Sequence, residues 1–161
     1  MIDFDTDKEI VETVKRKLKE EINEYRDNIC SYFHEFGVDS ERYIEISLAK
    51  IYSNAKDICV PEIMNKREMP PEPKEESEKE WYEYLKKDRE MQENIKIKLE
   101  AEIKEVESHI FSYAEGKGLQ DKMNTIKALV ILYKMKCYHF GYCSFYAPEP
   151  QRVNGPGRFP F

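Results

Sequence analysis

The sequence predicts an all-α protein: an elongated four-helix bundle built from two pseudo-repeated long-short helical hairpins. Three observations predict it. Residues 7–32 and 88–113 align without a gap at an offset of 81, and twelve of the 26 paired positions are identical, among them Ile22/Ile103, Glu24/Glu105, Ile29/Ile110 and Tyr32/Tyr113. Chance agreement between two Lys/Glu-rich helices supplies only a few such matches, so an internal duplication is expected. Apolar residues recur at helical spacing through four separate stretches. Charged residues at 36% with only six glycines favour long solvated helices over sheet.

The elements follow in order. Thr6 and Glu9 have capping-box spacing, and the stripe Val11, Val14, Leu18, Ile22, Tyr25, Ile29, Tyr32 and Phe36 makes one long helix that Gly37 ends. Ser40 is placed to cap a shorter helix with Ile44, Leu48, Ile51, Ala55 and Ile58 on one face, stopping near Cys59 because Pro61 follows. Residues 1–59 form the first hairpin. Residues 60–76 hold Pro61, Pro70, Pro71 and Pro73 among charges and read as an extended connector. Residues 77–146 form the second hairpin. Ser77 and Glu80 repeat the capping spacing, and a third helix carries Leu85, Met91, Ile95, Leu99, Ile103, Val106, Ile110 and Tyr113 inward until Gly116 and Gly118. The fourth helix has Leu119, Met123, Ile126, Val130, Tyr133, Cys137 and Phe140 at alternating steps of four and three, with Gly141 as its expected stop. The long helices outreach the short ones, and the excess must pack on the other long helix, on a second copy of the chain or on a different protein. Residues 147–161 are a Pro/Gly tail with an aromatic end.

Composition narrows the class. A net charge of −6 argues against wholesale coating of nucleic acid, although residues 119–161 form a basic end. The chain shows no N-terminal apolar stretch of signal-peptide length, and its most apolar run, Ala128 to Tyr133, is too short for a bilayer. A soluble intracellular protein without a membrane partner is therefore expected. Four cysteines without compact spacing favour reduced thiols over a disulfide framework.

Four constellations carry candidate chemistry. Cys30/His34 and His139/Cys143 are each one helical turn apart, so a tetrahedral zinc site can be drawn, provided the two pairs meet; in an up-down-up-down bundle they lie at opposite poles. Without that metal no cofactor is implied. Carboxylate catalysis finds little support, because the residues three before His34, His109 and His139 are Ser31, Val106 and Lys136 rather than the Glu of a di-iron bundle. No phosphate-binding loop or nucleophile elbow is present, so no catalytic residues are nominated and the chain reads as a non-enzyme. Aromatic residues crowd the basic end, where Tyr138, Tyr142, Phe145 and Tyr146 suit either a protein interface or base stacking. The tail adds Arg152 and Arg158 and finishes on Phe159 and Phe161, two rings around a stiffening proline that would plug a groove at small entropic cost.

The leading expectation is a non-catalytic protein-binding protein, an adaptor, inhibitor or assembly factor, using the aromatic fourth helix and the tail. Its partner is another protein, with homo-oligomerisation as a further expectation. The alternative is a regulator of a nucleic-acid enzyme, through acidic mimicry or direct basic and aromatic contact. A zinc-stabilised helical protein is the third reading.

Overall fold

The computed structural model describes residues 4–38 and 41–146. Among the described residues five α-helices follow one another: α1 (Phe4–Glu35), α2 (Glu41–Asp57), α3 (Cys59–Lys66), α4 (Glu76–Gly116) and α5 (Met123–Tyr146), the last preceded by a 3-10 turn at Gln120–Lys122. The fold is an all-α bundle with no strand among the described residues. At 1.5 Å per residue, α1 and α4 run about 48 and 61 Å, roughly twice the length of α2.

The principal contacts cross between the two halves of the chain. α1 packs chiefly on α5, and α2 on α4 and α5, while α3 lies along α4. α2 is thereby the central element, and Ile44, Leu48, Ile51 and Ala55 on its buried face are wholly excluded from solvent. Facing them are Ile103, Ile110 and Ala114 from α4 and Ile126, Val130, Tyr133 and Cys137 from α5. Burying such a set from both halves is the main source of stability. One buried polar group is satisfied in the same layer, as the Tyr133 hydroxyl donates to the Leu48 carbonyl at 2.8 Å.

The turns after the two long helices are alike bond for bond. After α1 the amide of Val38 donates to Phe33 O (3.1 Å) and that of Gly37 to His34 O (2.9 Å); 81 residues on, Leu119 donates to Ala114 O (3.0 Å) and Gly118 to Glu115 O (3.0 Å). Gly37 and Gly118 sit at φ of +76° and +83°, the left-handed conformation that closes a helix and that a Cβ disfavours. Val38 and Leu119 are the buried residues that follow. Beyond the turns the correspondence continues one residue out of step, setting Ile44, Leu48, Ile51 and Ala55 against Ile126, Val130, Tyr133 and Cys137. Cross-half polar contacts pair off likewise. Asn54 donates to Glu102 at 3.2 Å, and at the matching positions Lys136 contacts Glu21 at 2.5 Å.

Several local expectations change. The connector does not begin at residue 60. After a break at Ile58, α3 occupies Cys59–Lys66 with Pro61 in its first turn, where a missing N–H leaves no helical bond unmade. The extended part is therefore residues 67–75, tied to α4 by the Arg89 guanidinium, which donates to the carbonyls of Arg67 (2.5 Å) and Asn65 (2.6 Å). Thr6 and Ser77 lie inside their helices rather than at the caps, since α1 starts at Phe4 and α4 at Glu76. Ser40 falls outside the described residues.

Gly141 is not a stop. α5 runs through it to Tyr146. A Cβ at Gly141 would stand 2.6 Å from Cys59 Sγ, 2.7 Å from Lys56 O and 2.9 Å from Lys56 Cα, so the absent side chain is what lets α5 cross the end of α2 at contact distance. Cys59 repeats this approach in reverse, its Sγ 3.3 Å from the Tyr138 carbonyl oxygen.

Candidate functional site

The aromatic end of α5 is partly committed to packing. Tyr138, Tyr142 and Phe145 rest against a second apolar cluster of Ile58, Cys59 and Ile63, with Leu99 of α4 on the far side. The Tyr142 hydroxyl donates to Glu62, whose carboxylate also lies 3.8 Å from Lys96 Nζ, and Lys66 Nζ stands 5.7 Å from the Tyr142 ring. These rings thus seal α5 against α3 and α4, leaving half-buried edges at the surface. For Tyr146 only the backbone is described. Arg152, Arg158, Phe159 and Phe161 lie outside the described residues.

The proposed zinc ligands do not assemble. α5 runs antiparallel to α1, with Lys136 at Glu21 and Phe140 5.7 Å from Lys19 Nζ. His139 and Cys143 therefore lie beside the middle and early turns of α1, whereas Cys30 and His34 are near its end. At 1.5 Å per residue the centres of the two pairs stand roughly 22 Å apart along the helix axis. Cys30 faces the core while His34 and His139 face solvent. No group of three His, Cys, Asp or Glu suited to a metal occurs among the described residues. All four cysteines are thiols, and only Cys143 is outside the buried class.

Burial governs the groups with displaced titration. It pushes the Cys137 thiol from its ordinary 9.0 up to about 12, against smaller opposing effects of the Tyr133 hydrogen bond and the Lys19 ammonium. Burial likewise raises Cys59 to about 12, helped by the Glu62 and Asp57 charges, and raises Tyr138 to about 12, helped by Glu100 and Glu107. Tyr133 is pushed upward by the same cause. These acids hold their protons more tightly in the folded chain, so above pH 9 the unfolded chain ionises first. Stability is complete below about pH 9 and is lost progressively toward pH 12. The urea midpoint is expected to stay level from pH 7 to 9 and fall steadily above, with a shallower fall in Cys137→Ala; a midpoint unchanged at pH 11 would contradict this account.

The most exposed apolar feature is one the sequence placed inward. Met91 and Ile95 were expected in the core, but both are exposed, as is Val14 on α1. Helical period identifies a face without telling how far along it a neighbour extends. α2 and α3 cover the adjoining face of α4 and leave this row open. Upstream, Trp81 and Tyr84 continue the row and are also exposed. Phe36, too, is partly exposed beside the α1 turn, where the Tyr32 ring meets it edge-on at 5.0 Å. Further along the same face of α4, Glu102, Glu105 and His109 line a depression against Lys50 and Asn54 of α2. The sequence signal for this surface was the excess length of the third helix.

Among the described residues no helix is long and apolar enough to cross a membrane. Compared with protein-family models, curated proteins and solved structures, the chain matches none of them.

Proposed function

We propose that this chain is a duplicated helical hairpin acting as a non-catalytic protein-binding protein, an adaptor, inhibitor or assembly factor. The duplication is supported by the bond-for-bond agreement of the Gly37 and Gly118 turns and by the paired cross-half contacts of Asn54 and Lys136. A fused pair of hairpins presents related surfaces on its two sides, as a two-fold dimer does. The observation that carries the binding role is the exposed row Trp81, Tyr84, Met91 and Ile95 along α4. Contiguous exposed apolar rows with aromatic members are costly in water and characteristic of surfaces that other macromolecules cover. The half-buried rings at the end of α5 and the aromatic tail form the second contact region of this reading.

Affinity purification from the native host, read by quantitative mass spectrometry, tests the role with three chains. Wild type is expected to recover a defined partner, and Trp81→Ala/Tyr84→Ala to lose it at least tenfold with an unchanged thermal melt. A chain ending before Arg152 measures the tail, and loss in that chain alone moves the contact surface there. If all three recover the same proteins equally, neither surface is a binding site and the reading falls.

A further inference from the structure

The exposed face of α4 is a self-complementary seam, and we propose that a second copy of this chain covers it, α4 against α4 in antiparallel orientation. This rests on the protein-binding reading above and names its occupant.

The seam has four positions at steps of three, four and three: Asp88, Met91, Ile95 and Lys98. Such spacing lines one side of a helix in the pattern of a two-stranded coil. Met91 is 52% and Ile95 40% exposed, whereas Leu99 and Ile103 further along the helix turn toward the bundle. Over this stretch the row therefore belongs to a face that no helix among the described residues covers. Lys98 and Met91 border the same shallow surface groove with Asn94 and Ile95.

Charge fixes the occupant and its direction. Reversing a second α4 so that its Ile95 lies on Met91 brings its Met91 onto Ile95. The same register sets Asp88 of each copy against Lys98 of the other. Four apolar side chains are then closed at both ends by opposite charges, and the arrangement is isologous, as two-fold dimers require. A parallel pairing in register would instead set Asp88 on Asp88 and Lys98 on Lys98.

The same register accounts for Trp81 and Tyr84, which are 57% and 66% exposed. They precede Met91 by ten and seven residues, and Glu105 and Glu102 follow Ile95 by ten and seven. Antiparallel pairing thus carries each aromatic pair over the Glu102–Glu105 depression of the second copy, where the Lys50 ammonium is available to a ring face. Counting two aromatic and two aliphatic side chains per copy with their neighbours, the pair covers on the order of 1,000 Å², the lower end for a specific interface.

A sequence echo supports a selected pattern. The quartet recurs 81 residues earlier as Asp7, Ile10, Val14 and Lys17, with Ile10 at 55% and Val14 at 41% exposure. Trp81 and Tyr84 add two exposed rings to the α4 row, which makes it the seam argued here.

Sedimentation velocity of the full chain over a concentration series tests the proposal. Wild type is expected to pass from monomer to dimer with Kd in the micromolar range, about what a lower-end interface gives. Lys98→Asp places like charges at both ends of the seam and is expected to raise Kd about tenfold or more. The double swap Asp88→Lys/Lys98→Asp restores opposite charges and is expected to return Kd to within about threefold of wild type, because each pair remains complementary. Thermal melts of the monomers check that all variants fold. A wild type that stays monomeric at several hundred micromolar overturns the proposal, as does a dimer indifferent to the single swap or not rescued by the double one. If the chain is monomeric while Trp81→Ala/Tyr84→Ala still loses a host partner, the seam is covered by a different protein: the dimer fails and the binding role stands.

Discussion

Gly141→Ala is expected to destabilise the fold by about 2 kcal/mol or more, against the sign that helix propensity alone predicts. In an open helix, alanine would stabilise by about 1 kcal/mol relative to glycine. Here the added methyl meets the Lys56 carbonyl oxygen at 2.7 Å and its Cα at 2.9 Å, both backbone atoms of the central helix, as well as Cys59 Sγ at 2.6 Å. The thiol can turn aside, but the α2 backbone moves only by separating α2 from α5. Relief must spread into the layer of Ala55 and Cys137, both fully buried. For a chain of this length the loss corresponds to a fall in Tm of about 6 °C. Removing the sulfur with Cys59→Ala in the same chain is expected to recover only a minor part, because the Lys56 clash persists. Thermal melts of the single and double variants decide the matter, and a Gly141→Ala chain as stable as wild type would mean that the two helices do not cross at this contact.

Leu48→Ala is expected to cost about 3 kcal/mol, near 9 °C in Tm. Leu48 has no exposed surface, lies in the middle of α2 and is enclosed by α4 and α5, so the atoms removed leave a cavity that three packed helices cannot collapse to fill. Its carbonyl also receives the Tyr133 hydroxyl, a backbone bond that the substitution leaves in place and that holds the walls apart. Ile46→Ala is the control: two residues earlier on the same helix, it is largely exposed, and its change should stay within about 0.5 kcal/mol. Urea unfolding measures both. Equal losses at the two positions would contradict the assignment of the buried face of α2.

Much of the fold was legible because its determinants are local. Gly37 and Gly118 end their helices through backbone conformations that glycine alone adopts cheaply, and that requirement is written in single residues. The buried faces of α2 and α5 were legible for a related reason, since Ile44, Leu48, Ile51 and Ala55 repeat at the helical period. Pro61 and Gly141 misled for the converse reason. A proline after Cys59 fits the end of one helix or the first turn of the next, and a glycine within an apolar stretch fits a stop or a close crossing. What distinguishes each pair of readings is a neighbour distant in sequence.

The candidate site was less legible than the fold. The period of the third helix marks a single apolar face, but a helix longer than its neighbours keeps that period where no neighbour reaches, and Met91 and Ile95 fall there. The Cys and His pairs had suitable spacing within each helix. Whether they met depended on the antiparallel course of α5 along α1, and that course separates them.

By itself, then, the sequence determined the four helices with a long apolar stripe, the glycine turns after the two long ones, the all-α class and the residues available for a core, because these follow from local backbone preference and hydrophobic period. Only the tertiary structure decided that the halves pack across one another, that Gly141 is a crossing point and that one face of α4 is left open to solvent. Those outcomes depend on which surfaces meet across eighty and more residues of chain, where shape and volume select among helix pairings that a local pattern permits equally.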